Sequence, residues 1–385
     1  MKILLAAHAT GLGGAERDLL ELTDALRACS DATPIVAVPG RGELLDALRS
    51  RGVPVAVLPT RWWVSGRAHT LQRVVSSGVN AAAAPRARRL LRRAAPDLVV
   101  TFTLTVPVYA VAAHAQGIPH VWLAREFGVE DHGFAFHLGR DRSMQLVDRL
   151  SVLVGVPSQA VADRLSEWIP RSKLRQIRYA PSLAAGPPPA GRTSTSNALS
   201  LLLVGTMRES KGQRLALQAL ARLRQDGVPA TLTLVGTGRA GYVRSLERQA
   251  RALGVESATT FAGAVTDPTP FYDGADVLLL CSGAEAYGRV VVEAMQRGVP
   301  VVGSRAGGTV EQLSESGGGL LYETGDVPAL TAAIQQLHRD PDLRARLGAA
   351  GRTWATTTFT PEQLAQTFLT VAREAVGAAD ADRRP

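Results

Sequence analysis

The stretch EAYGRVVVEAMQRGVPVVGSRAGG (residues 285–308) predicts a helix, then a buried strand, then a loop with two glycines. RVVVEAMQ carries apolar residues at helical spacing, and VPVVGS is a short apolar run bounded by turn residues. Another apolar run, DVLLLCS (276–282), comes directly before the stretch. Strand, helix and strand in this order predict a β–α–β unit of a parallel sheet. Glu285 then follows a strand at the carboxyl edge of the sheet, where open α/β sheets bind ligands.

The same alternation of apolar runs and helical segments occurs in both halves of the chain. Strands are predicted at 2–7, 33–39, 53–59, 97–103 and 120–124 in the first half, and at 199–205, 230–236, 259–263, 276–282 and 299–304 in the second. Helical patterns lie between them, for example at 213–225 and 241–253. The sequence therefore predicts an α/β fold made of two doubly wound, Rossmann-like domains.

A segment of turn-forming composition separates the two halves. Residues 183–198 are rich in Pro, Gly, Ser and Thr, which is typical of a linker. We therefore expect an N-terminal domain over residues 1–182 and a C-terminal domain over residues 199–360. Ligands often bind in a cleft between two such domains, and we expect the site to face one.

Composition indicates a globular chain with a basic first half. The residues are 46% hydrophobic and 20% charged, which allows a sizeable core. The net charge is +9, and +8 of it falls within residues 1–180. An acidic partner would meet this half, although an Arg-rich composition without such a partner explains the excess as well.

Cysteine usage and hydropathy bear on the compartment. Cys29 and Cys281 form no disulfide framework and show no metal-binding spacing, and Cys281 ends an apolar run as a small core residue would. Few cysteines fit a reducing environment. The apolar run at the N-terminus is too short for a signal peptide, and no stretch is apolar enough to span a bilayer. We expect a cytoplasmic protein.

The second half carries separate groups for hydroxyls and for phosphates. Glu293 lies five residues after Gly288, or about 7.5 Å along a helix axis, so its carboxylate and that of Glu285 contact different parts of a ligand. Carboxylates repel phosphates and accept hydrogen bonds from hydroxyls. Arg208 and Lys211, which directly follow the strand at 199–205, supply cations for phosphates.

A third element of this pattern is an anion-binding helix terminus. Gly307 and Gly308 precede the helical run TVEQL, whose N-terminus is expected to present unpaired N–H donors to an anion. A nucleotide-diphosphate sugar, which contains ribose, pyrophosphate and a sugar, would satisfy all three elements. Taken alone, Glu293 is more typical of an exposed helix residue, and the cation pair is more typical of a solvated loop. Their joint placement at strand ends carries the interpretation.

These motifs resemble the GT-B glycosyltransferases, specifically the large group called family four. The family signature is E-x-[FY]-G-x(4)-E-A-x-x-x-G-x-P-V, followed by a small residue and Gly-Gly, and residues 285–308 match it closely. RESKG (208–212) resembles the family's Arg/Lys pair, and GLGGAER (11–17) its N-terminal glycine loop. The resemblance covers nearly the whole chain.

The resemblance implies roles for these positions. Glu293 would bind the ribose hydroxyls and Glu285 the donor sugar, while Arg208 and Lys211 would hold the pyrophosphate. The other donor-binding positions that it implies are Gly13, Gly14, Gly288, Arg289, Val290, Gly307 and Gly308. It also implies that a helix over residues 361–377 packs back on the first domain.

The implied reaction is glycosyl transfer with retention of anomeric configuration. As the sugar–phosphate bond breaks, negative charge develops on the diphosphate, and fixed cations stabilise it. We therefore expect no metal and no cofactor beyond the donor, a UDP- or GDP-sugar. The Asp-x-Asp pair of Asp380 and Asp382 falls in a polar tail and is not expected to bind a metal.

The first half is expected to bind the acceptor, and here the sequence departs from the family. The family commonly has a histidine after the strand at 120–124, where this chain has Arg125 and Glu126. Glu126 is a candidate polar contact or base toward the acceptor, and Asp131 with His132, or His8, are alternatives. A purely structural role remains open for each of them. The acceptor itself stays unidentified.

Two basic segments raise the question of a membrane. RWWVSGR (61–67) places two tryptophans between arginines, and PRARRLLRRAAP (85–96) predicts a helix with arginines on one half and Leu90, Leu91 and alanines on the other. Such a helix can lie on an anionic membrane, at the inner face in this case. An ordinary helix with a solvated Arg face is the alternative. No nucleic-acid reading motif is present, and we expect no nucleic-acid partner.

Three other functions compete with glycosyl transfer. A dinucleotide-dependent dehydrogenase is disfavoured because Glu16 stands where G-x-G-x-x-G needs its third glycine, and no acidic residue ends the next strand. A nucleotide-sugar epimerase of the same fold and a non-catalytic two-domain ligand-binding protein remain alternatives.

Overall fold

The computed structural model describes residues 1–65, 70–178, 181, 183 and 198–381. The chain divides into two compact units, one formed by Met1–Ala180 with Phe359–Pro385 and the other by Pro181–Thr358. Most of the expected linker at 183–198 lies outside the described residues, as do Asp382 and the Asp380 side chain. Among the described residues, no helix combines the length and the hydropathy that a membrane crossing requires.

The first unit is built around a seven-stranded parallel sheet in the order β3-β2-β1-β5-β6-β8-β9. Its strands are β1 (Lys2–Ala6), β2 (Thr33–Val38), β3 (Val55–Val57), β5 (Leu98–Phe102), β6 (His120–Leu123), β8 (Leu153–Val156) and β9 (Leu174–Gln176), and β4 (Val64–Ser65) pairs antiparallel with β7 (Ala135–Phe136). Its helices are α1 (Gly14–Cys29), α2 (Glu43–Ser50), α3 (Thr70–Ala94), α4 (Val108–His114), α5 (Val129–His132), α6 (Arg140–Leu150), α7 (Gln159–Leu165) and α15 (Pro361–Ala381).

The second unit has a six-stranded parallel sheet in the order β12-β11-β10-β13-β14-β15. Its strands are β10 (Leu199–Val204), β11 (Ala230–Val235), β12 (Thr259–Gly263), β13 (Val277–Leu280), β14 (Val301–Ser304) and β15 (Gly319–Tyr322). Its helices are α8 (Gln213–Gln225), α9 (Ala240–Ala252), α10 (Thr269–Asp273), α11 (Arg289–Gln296), α12 (Gly308–Ser316), α13 (Val327–Arg339) and α14 (Pro341–Thr358). The two parallel sheets with their helices confirm the predicted α/β fold class.

Burial explains why the apolar runs become central strands. Every residue of β5 and β13 is buried, as expected for strands covered by helices on both faces. In each sheet the strand order reverses direction beside the first strand of the unit, between β1 and β5 and between β10 and β13. Open sheets bind ligands at the carboxyl end of such a switch point. The two switch points therefore indicate where functional side chains gather.

The C-terminal helix belongs to the first unit. α15 packs against α1, and Phe368 and Ala375 are buried on its inner side. Arg175 Nε also donates to Glu374 of α15 over 2.9 Å. The helix thus covers α1, although more than three hundred positions separate the two in sequence.

Helix α3 differs from the sequence prediction in length and in packing. It begins at Thr70 and continues through Pro85, where the predicted helix starts. Leu91 and Ala87 are fully buried in the core, so the apolar half of residues 85–96 faces protein. The amphipathic pattern therefore reflects core packing with an exposed Arg face, as the alternative interpretation holds. Trp62 and Trp63 are described, whereas residues 66 and 67 of the tryptophan segment are not.

Candidate functional site

An ion pair spans the switch point of the second unit. Lys211 lies in the loop after β10, and its Nζ is 2.6 Å from Oε2 of Glu285, in the loop after β13. The hydroxyl of Ser282 donates to the same carboxylate oxygen over 2.9 Å. The sequence assigns Lys211 and Glu285 to different parts of a ligand, and the structure brings them into direct contact.

Close backbone packing holds the two loops together. Gly212 adopts φ +69°, and a Cβ there would lie 2.1 Å from the carbonyl oxygen of Cys281. Gly283 N–H also donates to the Ser210 carbonyl over 3.2 Å. Only a glycine at position 212 permits this approach. The Lys211 side chain therefore starts from a backbone fixed against the end of β13.

The charge state of Glu285 follows from these contacts. Burial raises the pKa of Glu285, but the charge of Lys211, hydrogen bonds from Lys211 and Ser282, and the charge of Arg208 together hold it below its ordinary value. Glu285 is 9% exposed and is thus a buried carboxylate that stays ionised at neutral pH. The charge of Arg208, the second predicted cation, thus favours the ionised form of the same group.

Glu293 is buried in α11 and held by a tyrosine that the sequence prediction missed. It is 7% exposed, which rules out an exposed helix residue. The hydroxyl of Tyr272 donates to its Oε2 over 2.7 Å, and Arg289 lies 3.5 Å from its Oε1. Tyr272 belongs to α10 and is fully buried. No sequence motif marks this tyrosine, because its role depends on a contact between distant elements.

The glycine pair packs against Glu285 and does not form an open nest. Gly307 has φ +53°, and a Cβ there would lie 2.0 Å from the carbonyl oxygen of Glu285. Gly308 N–H donates to that carbonyl over 2.8 Å. Thr309 and Val310 N–H groups donate within the turn, each over 3.3 Å. The expectation that these N–H groups lack partners is therefore wrong for Gly308 and the two residues after it.

The residue before α11, Gly288, also packs close to the Glu285 side chain. Gly288 precedes the helix with φ +89°, and a Cβ there would lie 3.4 Å from Cγ of Glu285. Arg289 and Val290 are the first residues of the helix, and both are half-buried. Of the predicted donor-binding positions of the second unit, Gly288, Gly307 and Gly308 thus lie against Glu285.

In the first unit, the glycine loop after β1 leads to a buried histidine–carboxylate pair. His8 Nδ1 lies 2.8 Å from Oε1 of Glu16, which is 4% exposed. Gly13 and Gly14 stand exposed at the start of α1. A Cβ on Gly13 would lie 2.9 Å from Oε2 of Glu16. In the sequence, Glu16 is notable only because it stands where a dinucleotide-binding motif needs its third glycine. In the structure it is the partner of His8.

Glu126 is a buried carboxyl group with an unusual pKa. Its Oε1 accepts from Leu104 N–H over 2.8 Å and its Oε2 from Arg125 N–H over 3.1 Å. Burial raises its pKa to about 7, against the hydrogen bond from Leu104 and the charge of His8, which lower it. Such a group exchanges a proton near neutral pH, as general acids and bases do.

Asp131 has a structural role, whereas His132 is exposed. Asp131 accepts from the N–H groups of Phe127 and Gly128 over 3.0 and 2.9 Å and so closes the turn before α5. His132 Nε2 lies 3.7 Å from Asp131, and its side chain is 36% exposed. His132 is therefore the member of this pair that a ligand can reach.

The described residues contain no group of three or more His, Cys, Asp or Glu side chains arranged to hold a metal ion. Cys29 is exposed and free, and Cys281 is free and buried, as its position in an apolar run predicts.

Two family models match the chain. Residues 13–180 match the glycosyl transferase 4-like domain, and residues 192–354 match the glycosyl transferases group 1. The two matches together cover both sheets except for β1.

Individual proteins are similar over different lengths. A lipopolysaccharide core biosynthesis glycosyltransferase, LpsD of Rhizobium meliloti, is 26% identical over 93% of this chain and 94% of its own. A GDP-mannose-dependent α-(1-6)-phosphatidylinositol monomannoside mannosyltransferase of Mycolicibacterium smegmatis is 36% identical, over 38% of this chain and only 40% of that relative. The crystal structure of Anabaena HepE with UDP-glucose has a TM-score of 0.77 and 22% identity, covering 97% of this chain and all of that one.

Proposed function

Because this chain belongs to the GT-B glycosyltransferases of the family-four type, we propose that it transfers a hexosyl group from a nucleotide-diphosphate sugar to an acceptor hydroxyl. The proposal includes retention of anomeric configuration and no requirement for a metal. One observation carries it: Lys211, Glu285 and Glu293 lie around the switch point of a single sheet, with both carboxylates buried. The family matches favour this function over the epimerase and the non-catalytic binding protein.

Glu293 is proposed to bind the ribose of the donor. Its Oε2 is held by Tyr272 and its Oε1 faces Arg289, so the carboxylate has a fixed orientation on α11. A fixed, buried carboxylate accepts hydrogen bonds from two neighbouring hydroxyls without losing side-chain entropy on binding. Ribose offers such a pair.

Lys211 and Arg208 are proposed to stabilise the leaving diphosphate. When the bond between the sugar and the phosphate breaks, negative charge collects on the phosphate oxygens and positive charge on the sugar ring. Preorganised cations stabilise this charge in the transition state, and removal of one such group typically slows turnover about 10² to 10³-fold. Glu285, ionised beside Lys211, would face the sugar and its developing positive charge. In this proposal, Lys211 and Arg208 supply the positive charge that a metal ion supplies in other transferases.

Two nucleobases, uracil and guanine, are candidates for the nucleotide of the donor. A relative is named GDP-mannose-dependent, and a protein of similar fold has been crystallised with UDP-glucose. A UDP- or a GDP-sugar is therefore the proposed donor class.

The first unit is proposed to bind the acceptor, with Glu126 and His132 as its polar contacts. Glu126 follows β6 and has a pKa of about 7, suited to proton exchange with an acceptor hydroxyl. His132, the last residue of the short helix α5 that follows, is accessible. In the cytoplasm, the exposed arginines of α3 would attract an anionic membrane surface to this unit. Because Leu91 is buried, the apolar half of residues 85–96 would not contact that membrane.

Two measurements test the function. A thermal-shift panel of UDP-, GDP- and ADP-sugars identifies the donor, because a tight ligand raises the melting temperature by mass action. The same donor, labelled in its sugar, is then incubated with candidate acceptors. Transfer of label with retained configuration in the presence of a chelator supports the proposal. Label that stays on an epimerised nucleotide sugar, or binding without turnover, would contradict it.

A further inference from the structure

Four rings of the first unit form a continuous line, which we call the aromatic row: His8, Trp62, Phe134 and His132. His8 and Trp62 are stacked, with centroids 5.4 Å apart and an interplanar angle of 21°. Trp62 meets Phe134 edge to face at 6.1 Å. Phe134 in turn stacks on His132 at 5.0 Å and 19°. The row joins the loop after β1, the segment before β4 and the loop after β6.

Two members of the aromatic row, Trp62 and His132, are exposed. Trp62 is 38% exposed and the His132 side chain 36%, whereas the neighbouring Trp63 is 6% exposed and donates its indole N–H to Leu104. The two consecutive tryptophans thus have opposite roles, one in the core and one at the surface. An exposed tryptophan that continues into other rings is typical of a binding surface.

Hydrogen bonds fix the position of Trp62. Its indole N–H donates to the His8 carbonyl over 2.8 Å. The preceding residue, Arg61, exchanges two backbone hydrogen bonds with the amide of Asn80 on α3, over 2.8 and 2.9 Å. A ring fixed in this way loses little conformational entropy when a ligand covers it.

A buried carboxyl group lies at the His8 end of the aromatic row. His8 Nδ1 is 2.8 Å from Oε1 of Glu16, which is 4% exposed. An exposed tryptophan ring with a carboxyl group near one end suits a ligand that has C–H groups on one face and hydroxyls along its edge. A pyranose ring has this form, and an acyl chain does not.

We propose that the aromatic row is an acceptor subsite on which one pyranose ring stacks against Trp62, with its hydroxyls toward His8 and its partner Glu16. The inference rests on the proposed function and narrows the acceptor to a carbohydrate or a glycosylated molecule. A lipid acceptor without a sugar would leave Trp62 uncovered.

Saturation-transfer NMR on the full chain tests the subsite directly. The probes are the methyl pyranosides of glucose, mannose, galactose and N-acetylglucosamine, each without donor. We expect the ring protons of at least one probe to receive saturation from the wild type, and this signal to be lost in Trp62→Leu and reduced in His132→Ala. The matched control is Trp168→Leu, because Trp168 is covered by Arg140 and Arg164 and lies outside the row.

The outcomes separate this proposal from the proposed function. With a pyranoside acceptor, kcat/KM is expected to fall about tenfold in Trp62→Leu, the order expected for one lost aromatic contact, while the thermal shift caused by the donor stays at the wild-type value. Equal saturation in Trp62→Leu and wild type, or no saturation of any probe by the wild type, would overturn the subsite. Failure of every nucleotide sugar to bind would instead overturn the proposed function and leave the pyranoside result standing.

Discussion

Lys211 and Glu285 form an ion pair of 2.6 Å across 74 positions of sequence, because each follows one of the two strands that flank the switch point. Glu285 is thus buried with its own counter-charge beside it. A ligand phosphate that binds Lys211 would replace this carboxylate as its partner. Phosphate binding at Lys211 would therefore also change the surroundings of the Glu285 carboxylate.

Lys211→Ala is expected to slow turnover with the labelled donor about 10² to 10³-fold, because it removes a preorganised positive charge from the leaving group. The measurement is kcat under saturating donor. Lys173→Ala is the matched control, since Lys173 forms a partly exposed pair with Asp148 in the other unit. Wild-type turnover in the Lys211 variant would show that another group stabilises the diphosphate.

Glu293→Gln is expected to weaken donor binding about tenfold or more, since it replaces a charged acceptor of ribose hydroxyls by a neutral amide. Titration calorimetry with the nucleotide found in the thermal-shift panel measures this. Tyr272→Phe should weaken binding less, because it only frees the carboxylate that Tyr272 orients. Glu256→Gln, at an exposed position, serves as the control. Unchanged affinity in Glu293→Gln would remove Glu293 from the ribose site.

Gly307→Ala is expected to destabilise the protein by more than about 1 kcal/mol, because it combines positive φ with a contact against the Glu285 carbonyl. Gly241→Ala is the control, since Gly241 lies in α9 and a Cβ there meets nothing within 4 Å. Chemical denaturation of both variants provides the comparison. Equal stability of the two would mean that the loop at Gly307 adapts to a side chain.

Glu126 is expected to make stability depend on pH. Its pKa is about 7 in the folded protein and about 4.5 when exposed, so the folded state binds more protons between these values. Its contribution is complete below pH 4.5 and is lost as the pH rises through 7, a change of about 3 kcal/mol. Glu126→Gln should gain stability relative to wild type by this amount between pH 4.5 and 8. If the free energies of unfolding of the two proteins changed with pH in the same way across this range, the raised pKa of Glu126 would be contradicted.

The sequence predicts the central strands well because they are apolar runs buried on both faces. Five of the six strands of the second unit fall within their predicted runs, whereas β15 was missed because it is only half-buried and its pattern is weak. The strands β8 and β9 were not predicted either. Helix α3 was predicted too short because Pro85 is typical of a helix start, yet here it stands inside the helix.

Side-chain partners were harder to predict than positions. The motif located Glu285 and Glu293, but nothing in the sequence pairs Lys211 with Glu285 or Tyr272 with Glu293, because these contacts join distant elements. The same limit explains Gly308. A glycine pair before a helix is typical of an anion site, and only the position of the Glu285 carbonyl shows that one N–H already has a partner.

Helix α15 gives the two units different histories during synthesis. The second unit is one uninterrupted segment, so it can begin to fold as soon as its own residues have left the ribosome. The first unit is translated earlier but must wait, with the apolar side of α1 uncovered, until Pro361 and the helix after it emerge. The half of the protein that is made first is therefore the one that is completed last, and a nascent chain stalled before position 361 would present α1 to chaperones.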